Sequence, residues 1–252
     1  MNKAVMILLR HGESQWNQEN RFTGWVDVDL SEKGIKEAKQ AGALIAKEGL
    51  EFNKAYTSYL LRAWKTLYIA LEVSKRFWLP IHPAWELNER HYGALAGLNK
   101  KDTADKYGEE QVKIWRRSYA TLPPLLEDDD PNNPAEDIRY QYLTKTQRPK
   151  GESLALTVDR VAKYFQEVLQ PSLLAGNLPL ISAHGNSLRA MVKYLEDMSE
   201  ADVLELNIPT GVPLIYELEF KDNRYYPISK RYLGDSTEVE ARLNAVANQG
   251  KK

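Results

Sequence analysis

Arg10-His11-Gly12-Glu13 directly follows an apolar run over 4–9, and His184-Gly185-Asn186 directly follows another over 178–183. The chain has four histidines, and these two occupy the same kind of place. Each ends a stretch of strand length, precedes a glycine, and stands where the chain would leave a sheet. In an open α/β sheet that is the carboxyl end of a strand, where ligands bind. A histidine there can serve as nucleophile, proton carrier or metal ligand. Arg10 and Gly12 flank the first with a fixed cation and a backbone that allows close approach, which suits an anion. Gly185 and Asn186 open a helix after the second, offering backbone N–H groups and a positive dipole end. A metal would need a third ligand at short spacing, and no His-x-x-x-His or His-x-x-Glu-His occurs, so none is expected.

Other candidates are weaker alone. Arg62 falls early in the helix after Ser58, where the dipole disfavours a cation; a ligand or a salt bridge would each account for it. Arg116-Arg117 is a doublet whose members diverge by roughly 100° on a helix, and Lys100 by itself carries no signal. Glu89, in the polar segment Glu89-Arg90-His91-Tyr92, could act as general acid or base or simply pair with Arg90, and Glu13 is its rival. Together the set suggests phosphoryl transfer, with cations stabilising the moving charge and a neutral imidazole attacking in line. Each charge-assisted hydrogen bond contributes roughly 1.5–3 kcal/mol, so several are needed to hold a doubly charged group against water. No Gly-x-x-x-x-Gly-Lys-[Ser/Thr] occurs, which argues against a nucleotide kinase.

The elements that must position these residues alternate. After the run 4–9, Ser31 caps a helix to about Glu48, residues 55–57 form a short strand, and Ser58 caps a helix to about Phe77. Residues 80–83 are extended and 86–98 read as a loop. The stretch 101–120 is helical in two pieces broken near Gly108. From 121 to 151 the chain is irregular, with five prolines and an acidic run over 127–130. Val158, Val161, Ala162, Phe165 and Leu169 mark a helix, 178–183 a strand, 187–196 and 200–206 helices, and 212–220 a last strand. The pattern predicts one α/β domain over 1–252. Its central sheet is mainly parallel, with helices on both faces and the active site at the carboxyl ends of the strands. The irregular stretch is an insert, and a polar tail begins at about 235.

Composition bounds the partners. Of the 252 residues 43% are apolar and 27% charged, and the formal net charge is −1, which speaks against nucleic acid as the main partner. Cysteine is absent, excluding disulfides, thiolate catalysis and Cys-zinc sites. The N-terminal apolar run is too short for a signal peptide, and no stretch approaches the ~18 apolar residues that span a bilayer. No membrane partner and a cytoplasmic location are expected.

At this point the chain resembles the 2,3-bisphosphoglycerate-dependent phosphoglycerate mutases of the histidine phosphatase superfamily. The likeness covers nearly the whole chain. It rests on the segment Arg10 to Asn17, Phe22-Thr23-Gly24-Trp25, Glu89-Arg90-His91-Tyr92-Gly93, Trp115-Arg116-Arg117, the segment Ala183 to Arg189, and the ending Ala245 to Lys251. Arg-His-Gly marks only the superfamily; the other segments are more specific. The resemblance implies that His11 becomes a phosphohistidine, His184 stabilises the transferring phosphoryl group, and Glu89 gives and takes the substrate hydroxyl proton. It implies that Arg10, Ser14, Asn17, Arg62, Gly185 and Asn186 serve the transferring phosphate. Thr23, Gly24, Arg90, Tyr92, Lys100, Arg116 and Arg117 would hold the other end of the substrate, with its carboxylate and second phosphate.

The implied activity interconverts 3-phosphoglycerate and 2-phosphoglycerate in glycolysis and gluconeogenesis. It is primed by 2,3-bisphosphoglycerate, without metal, in a homodimer. Residues from about 235 would cover the site against water. The chain departs from the pattern in the insert, including Gln147-Arg148-Pro149-Lys150, and at strand-packing positions. A phosphatase of the same fold, or a binding module without turnover, are the alternatives.

Overall fold

The computed structural model describes residues 3–247, and six strands form one sheet in the order β3-β2-β4-β1-β5-β6. These are β1 (Lys3–Arg10), β2 (Lys54–Thr57), β3 (Ile81–Pro83), β4 (Pro179–Ala183), β5 (Pro213–Lys221) and β6 (Arg224–Tyr232). Strands β1 to β4 run parallel; β5 pairs antiparallel with β1, and β6 with β5. The alternating pattern therefore gives the expected mainly parallel sheet of one α/β domain.

The central strands are apolar on both faces because both are covered. On one side Met6, Leu8 and Ile181 pack against α6 (Leu154–Tyr164) and α8 (Gly185–Glu196) through Val161, Leu188 and Met191. On the other, Ile7, Leu9 and Leu180 meet α2 (Glu32–Glu48) and α3 (Leu61–Val73) through Ala41, Ile45, Leu67 and Ala70. Helix α2 starts where expected, its N-cap Ser31 side chain accepting from the Gly34 N–H, and it stops at Gly49 with φ 71°.

Helix α3 departs from expectation at both ends. Its N-cap is Leu60, not Ser58, whose hydroxyl accepts from the Leu60 N–H and lies against His184, and it ends at Val73 rather than near Phe77. A single turn, α1 (Gln15–Gln18), follows His11. The helical stretch after residue 100 divides at Gly108 (φ 89°) into α4 (Lys100–Tyr107) and α5 (Glu109–Arg117). The segment 121–151 holds only two 3-10 turns. Helix α6 runs on through a π turn, Phe165–Leu169, into α7 (Gln170–Leu174), and α9 (Glu200–Glu205) precedes β5.

Two elements lie outside the expectation. Strand β6 is a basic, tyrosine-rich edge turned back by Asp222-Asn223 at φ 50° and 62°, a two-residue hairpin with positive φ at both central positions. The polar tail is a helix, α10 (Ser236–Ala247), anchored by buried Val239. Residues 248–252, which carry the end of the tail motif, lie outside the described residues. Among the described residues no helix is long and apolar enough to cross a membrane.

Close packing, not a ligand, accounts for Gly12: a Cβ there would sit 2.2 Å from the Gly34 carbonyl oxygen, and one on Gly34 would sit 2.0 Å from the Glu13 oxygen. Neither backbone can give way without moving the segment beside His11. Gly34→Ala should therefore lower stability by about 1–3 kcal/mol, read as a lower urea midpoint at unchanged m. A midpoint equal to that of the native chain would show that α2 and the His11 segment are not locked together.

Candidate active site

Parallel pairing of β1 with β4 sets Arg10 opposite Ala183, so the next residue of each strand leaves the sheet at the same point. The His11 N–H donates to the Ala183 carbonyl at 3.0 Å, and the His11 and His184 rings lie 5.0 Å apart, tilted by 59°. His11 Nδ1 lies 2.7 Å from the Gly12 carbonyl oxygen. A carbonyl can only accept, so Nδ1 carries the hydrogen and Nε2 keeps its lone pair. Burial, reinforced by Arg62 and Arg10, holds His11 well below the usual imidazole range and outweighs the Gly12 carbonyl. Burial, with Arg62, His11 and Arg10, does the same to His184, whose Nε2 lies 2.7 Å from Ser58 Oγ. Both rings are thus neutral at neutral pH, as a nucleophilic imidazole must be.

The cations around them are held by carbonyls rather than carboxylates. Arg10 donates to Ile208 O at 2.6 Å, and its buried Nε has no partner among the described residues. Gly185 packs beneath this guanidinium; a Cβ there would lie 3.4 Å from Arg10 Cζ. Arg62, buried at the start of α3, donates to Gly24 O at 2.8 Å and Val26 O at 3.0 Å. Those carbonyls, not a surface salt bridge, offset its place against the helix dipole. Burial lowers its pKa to about 10.

Glu89 is the one carboxylate on the cleft wall among the described residues. Its Oε1 accepts from Arg90 N at 2.8 Å and from Asn186 N, in the first turn of α8, at 3.0 Å. Its rival Glu13 turns away, binding the Ser31 hydroxyl at 2.9 Å and Lys33 Nζ at 3.0 Å.

The cleft is also lined by Lys100 at the start of α4, Arg116-Arg117 in the last turn of α5, Tyr92 and Thr23-Gly24. Arg117 donates to Leu204 O at 2.9 Å. Burial, with Arg116 and Arg10, pulls the Lys100 amine down to about 7. Asn17 lines the wall at α1, where its side chain and Ser14 cap one another reciprocally; Ser14 itself is buried behind it.

Arg90 also stands behind the wall rather than on it. It is spent on three carbonyls, at 2.7 Å to Glu152, 2.9 Å to Trp115 and 3.3 Å to Thr121, so its guanidinium ties the end of α5 to the residues at either end of the 121–151 stretch. Sequence reasoning gave no role to Arg189, which lines the cleft and holds Asn186 Oδ1 at 2.9 Å, or to Ser58, read as a helix cap. Arg189 faces the α9 carbonyls of Val203 and Leu204, a placement visible only once α9 is in position.

Residues 6–131 match the histidine phosphatase superfamily, branch 1. The chain belongs to this superfamily. Three solved structures share the fold of this superfamily member. A mycobacterial glucosyl-3-phosphoglycerate phosphatase is 19% identical at TM-score 0.67, over 91% of this chain and 97% of that one. Bacillus stearothermophilus YhfR is 22% identical at 0.66, over 89% and 95%. The alpha-ribazole phosphatase from Shigella flexneri is 21% identical at 0.64, over 92% and 96%.

Three buried imidazoles give this histidine phosphatase fold a pH signature. His91 accepts at Nδ1 from the Gly93 N–H at 3.0 Å, and burial brings its pKa down to about 4. All three are depressed in the folded chain, so the unfolded chain binds more protons below about pH 6.5, and stability falls as pH falls. For His91 the loss runs from about pH 6.5 to its folded value near 4. Each histidine contributes up to ~1.4 kcal/mol per pH unit within its window. Urea midpoints should drop between pH 7.5 and 5, and less steeply in His91→Gln. Identical slopes for the two proteins would contradict the buried neutral state of His91.

Proposed function

We propose that this protein interconverts 3-phosphoglycerate and 2-phosphoglycerate through a phosphohistidine on His11, primed by 2,3-bisphosphoglycerate. The observation that carries this reading is the number of cations lining one cleft. Releasing phosphate from a monoester needs one anion site, and His11, His184, Arg10 and Arg62 would supply it. Lys100, Arg116 and Arg117 line the same cleft and would serve a ligand with a second anionic group, as a phosphorylated carboxylate has. The buried, unpartnered Arg10 Nε fits an anion between the two histidines.

His11 Nε2 attacks the phosphorus of the ester, while its Nδ1 keeps its proton and donates it in a hydrogen bond to the Gly12 carbonyl oxygen. The N–P bond forms as the ester P–O bond breaks. Arg10, Arg62 and the α8 N-terminus at Gly185-Asn186 take up the charge on the phosphoryl oxygens. Oε1 of Glu89 is already held by two N–H groups, so Oε2 carries the proton to the departing oxygen and takes it back from the hydroxyl in the return half. The bisphosphorylated species then reorients, so that Lys100 and Arg117 release one phosphate and take the other while the second phosphoryl group returns to His11. Val246 of α10 borders the cleft, where a tail would exclude water from the phosphohistidine. A cytoplasmic homodimer acting on free phosphoglycerates in glycolysis and gluconeogenesis is the setting this reading implies.

Two measurements test it. After incubation with 2,3-bisphosphoglycerate, mass spectrometry should find one acid-labile phosphate on the native chain and none on His11→Ala. Isomerisation of 3-phosphoglycerate should exceed phosphate release; the reverse ratio would make the protein a phosphatase. A pH series probes Lys100. Lys100 loses its charge above about pH 7 in the free cleft, and an anion restores it, so binding takes up a proton. Affinity for the bisphosphate should fall as pH rises from 7 to 9, and the fall should be shallower in Lys100→Arg. Equal pH dependence in both proteins would contradict this.

A further inference from the structure

We infer that the buried Arg160–Glu152 pair is a positioning device for Glu89, setting the rate of the proton-dependent part of phosphoryl transfer; this rests on the phosphohistidine reading above. Arg160 projects from α6, outside the cleft, and its side chain is 7% exposed, that of Glu152 4%. The two are joined twice, Arg160 Nε to Glu152 Oε1 at 2.7 Å and Nη2 to Oε2 at 2.9 Å. What remains of the guanidinium donates to the segment that bears Glu89: to Glu86 O at 2.5 Å, Asn88 O at 3.0 Å and Glu89 O at 3.0 Å.

Glu152 grips the same segment from its other side. Its Oε2 accepts from the His91 N–H at 2.8 Å, its carbonyl accepts from Arg90 Nε at 2.7 Å, and its N–H donates to His91 O at 2.7 Å. Trp25 Nε1 adds a second donor on the Glu89 carbonyl at 2.6 Å. The backbone on both sides of Glu89 is therefore fixed by one planar cation and one carboxylate.

An ion pair serving stability alone would need no such target. Here every carbonyl that Arg160 reaches belongs to residues 86–89, and Glu152, which orients it, holds His91 through its carboxylate and Arg90 through its backbone carbonyl. A planar fork can satisfy a carboxylate and three divergent carbonyls at once; an ammonium cannot. The His11 pocket is built from other elements, the ends of β1 and β4 and the start of α3. Loosening the pair should misplace the proton donor while leaving the nucleophile in place.

The consequence is a dependence on the leaving group. When His11 takes the phosphoryl group from a phosphoglycerate ester, the departing alkoxide oxygen must receive a proton from Glu89. When it takes it from p-nitrophenyl phosphate, the departing phenolate needs none. In Arg160→Lys, phosphorylation of His11 by 2,3-bisphosphoglycerate should slow by roughly tenfold to a hundredfold, with KM little changed. The rate with p-nitrophenyl phosphate should stay within about twofold. Glu89→Gln is the reference for the same selective loss. Glu152→Gln, which keeps the shape and removes the charge, should show the same direction and serves where Arg160→Lys does not fold. Parallel losses with both donors, or no loss with either, overturn the assignment. A native chain whose His11 accepts a phosphoryl group from neither donor overturns the reading beneath it, and this assignment as well.

Discussion

The site depends on one register. Parallel pairing sets Arg10 of β1 opposite Ala183 of β4, and both strands are wholly buried there. Because both end at the same level, the next residue of each must emerge at one point, and each is a histidine. A shift of one residue in either strand would exchange the side chains fitted against α6 and α8 with those fitted against α2 and α3, and carry its histidine away from the other. The apolar layers that fix this register, Met6, Leu8 and Ile181 on one side and Ile7, Leu9 and Leu180 on the other, thereby also fix the separation of the imidazoles.

Electrostatics then acts on that pair in one direction. Burial and the nearby arginines both disfavour an imidazolium, so the rings stay neutral without a carboxylate partner. The arginines are themselves held by carbonyl oxygens: Ile208 for Arg10, Gly24 and Val26 for Arg62, Leu204 for Arg117. A carbonyl orients a guanidinium without cancelling its charge, so the cleft stays strongly cationic. Carboxylates near each cation would have made a more ordinary ion-pair network and a weaker anion site.

Much of this was legible in the sequence, and what was not has identifiable causes. The two strand–His–Gly joints could be read because buried parallel strands are continuous apolar runs and a ligand-facing end is abrupt. Helix α2 could be read from its Ser31 cap and apolar spacing. Strand β6 could not, because an exposed edge rich in Arg, Lys and Tyr lacks the alternation that marks a half-buried strand. Ser58 reads as a cap because a serine before a helical run can accept from the following backbone, as its Oγ does from the Leu60 N–H; its second partner, His184, is 126 residues away and has no local signal. Gly12 suggested close approach by a ligand; the close approach is real, but the neighbour is the α2 backbone at Gly34. Arg90 stood in a motif among residues that line the cleft, and only the fold shows it spent on carbonyls behind the wall.

The irregular stretch 121–151 shows why such residues resist sequence reasoning. It has no periodic pattern, yet both of its ends are bound into the site. Thr121 accepts from Arg90, which also holds the last turn of α5 at Trp115, next to Arg116 and Arg117. Gly93 packs so closely on this stretch that a Cβ there would lie 2.1 Å from the Pro124 carbonyl oxygen. Where the stretch ends, Glu152 closes on His91, as described above. A loop of this length without regular structure is costly to order. Its return is geometric, since it fastens the Glu89 segment to the last turn of α5. The cleft thus has two separate supports, sheet register for the histidines and this stretch for Glu89 and the α5 arginines.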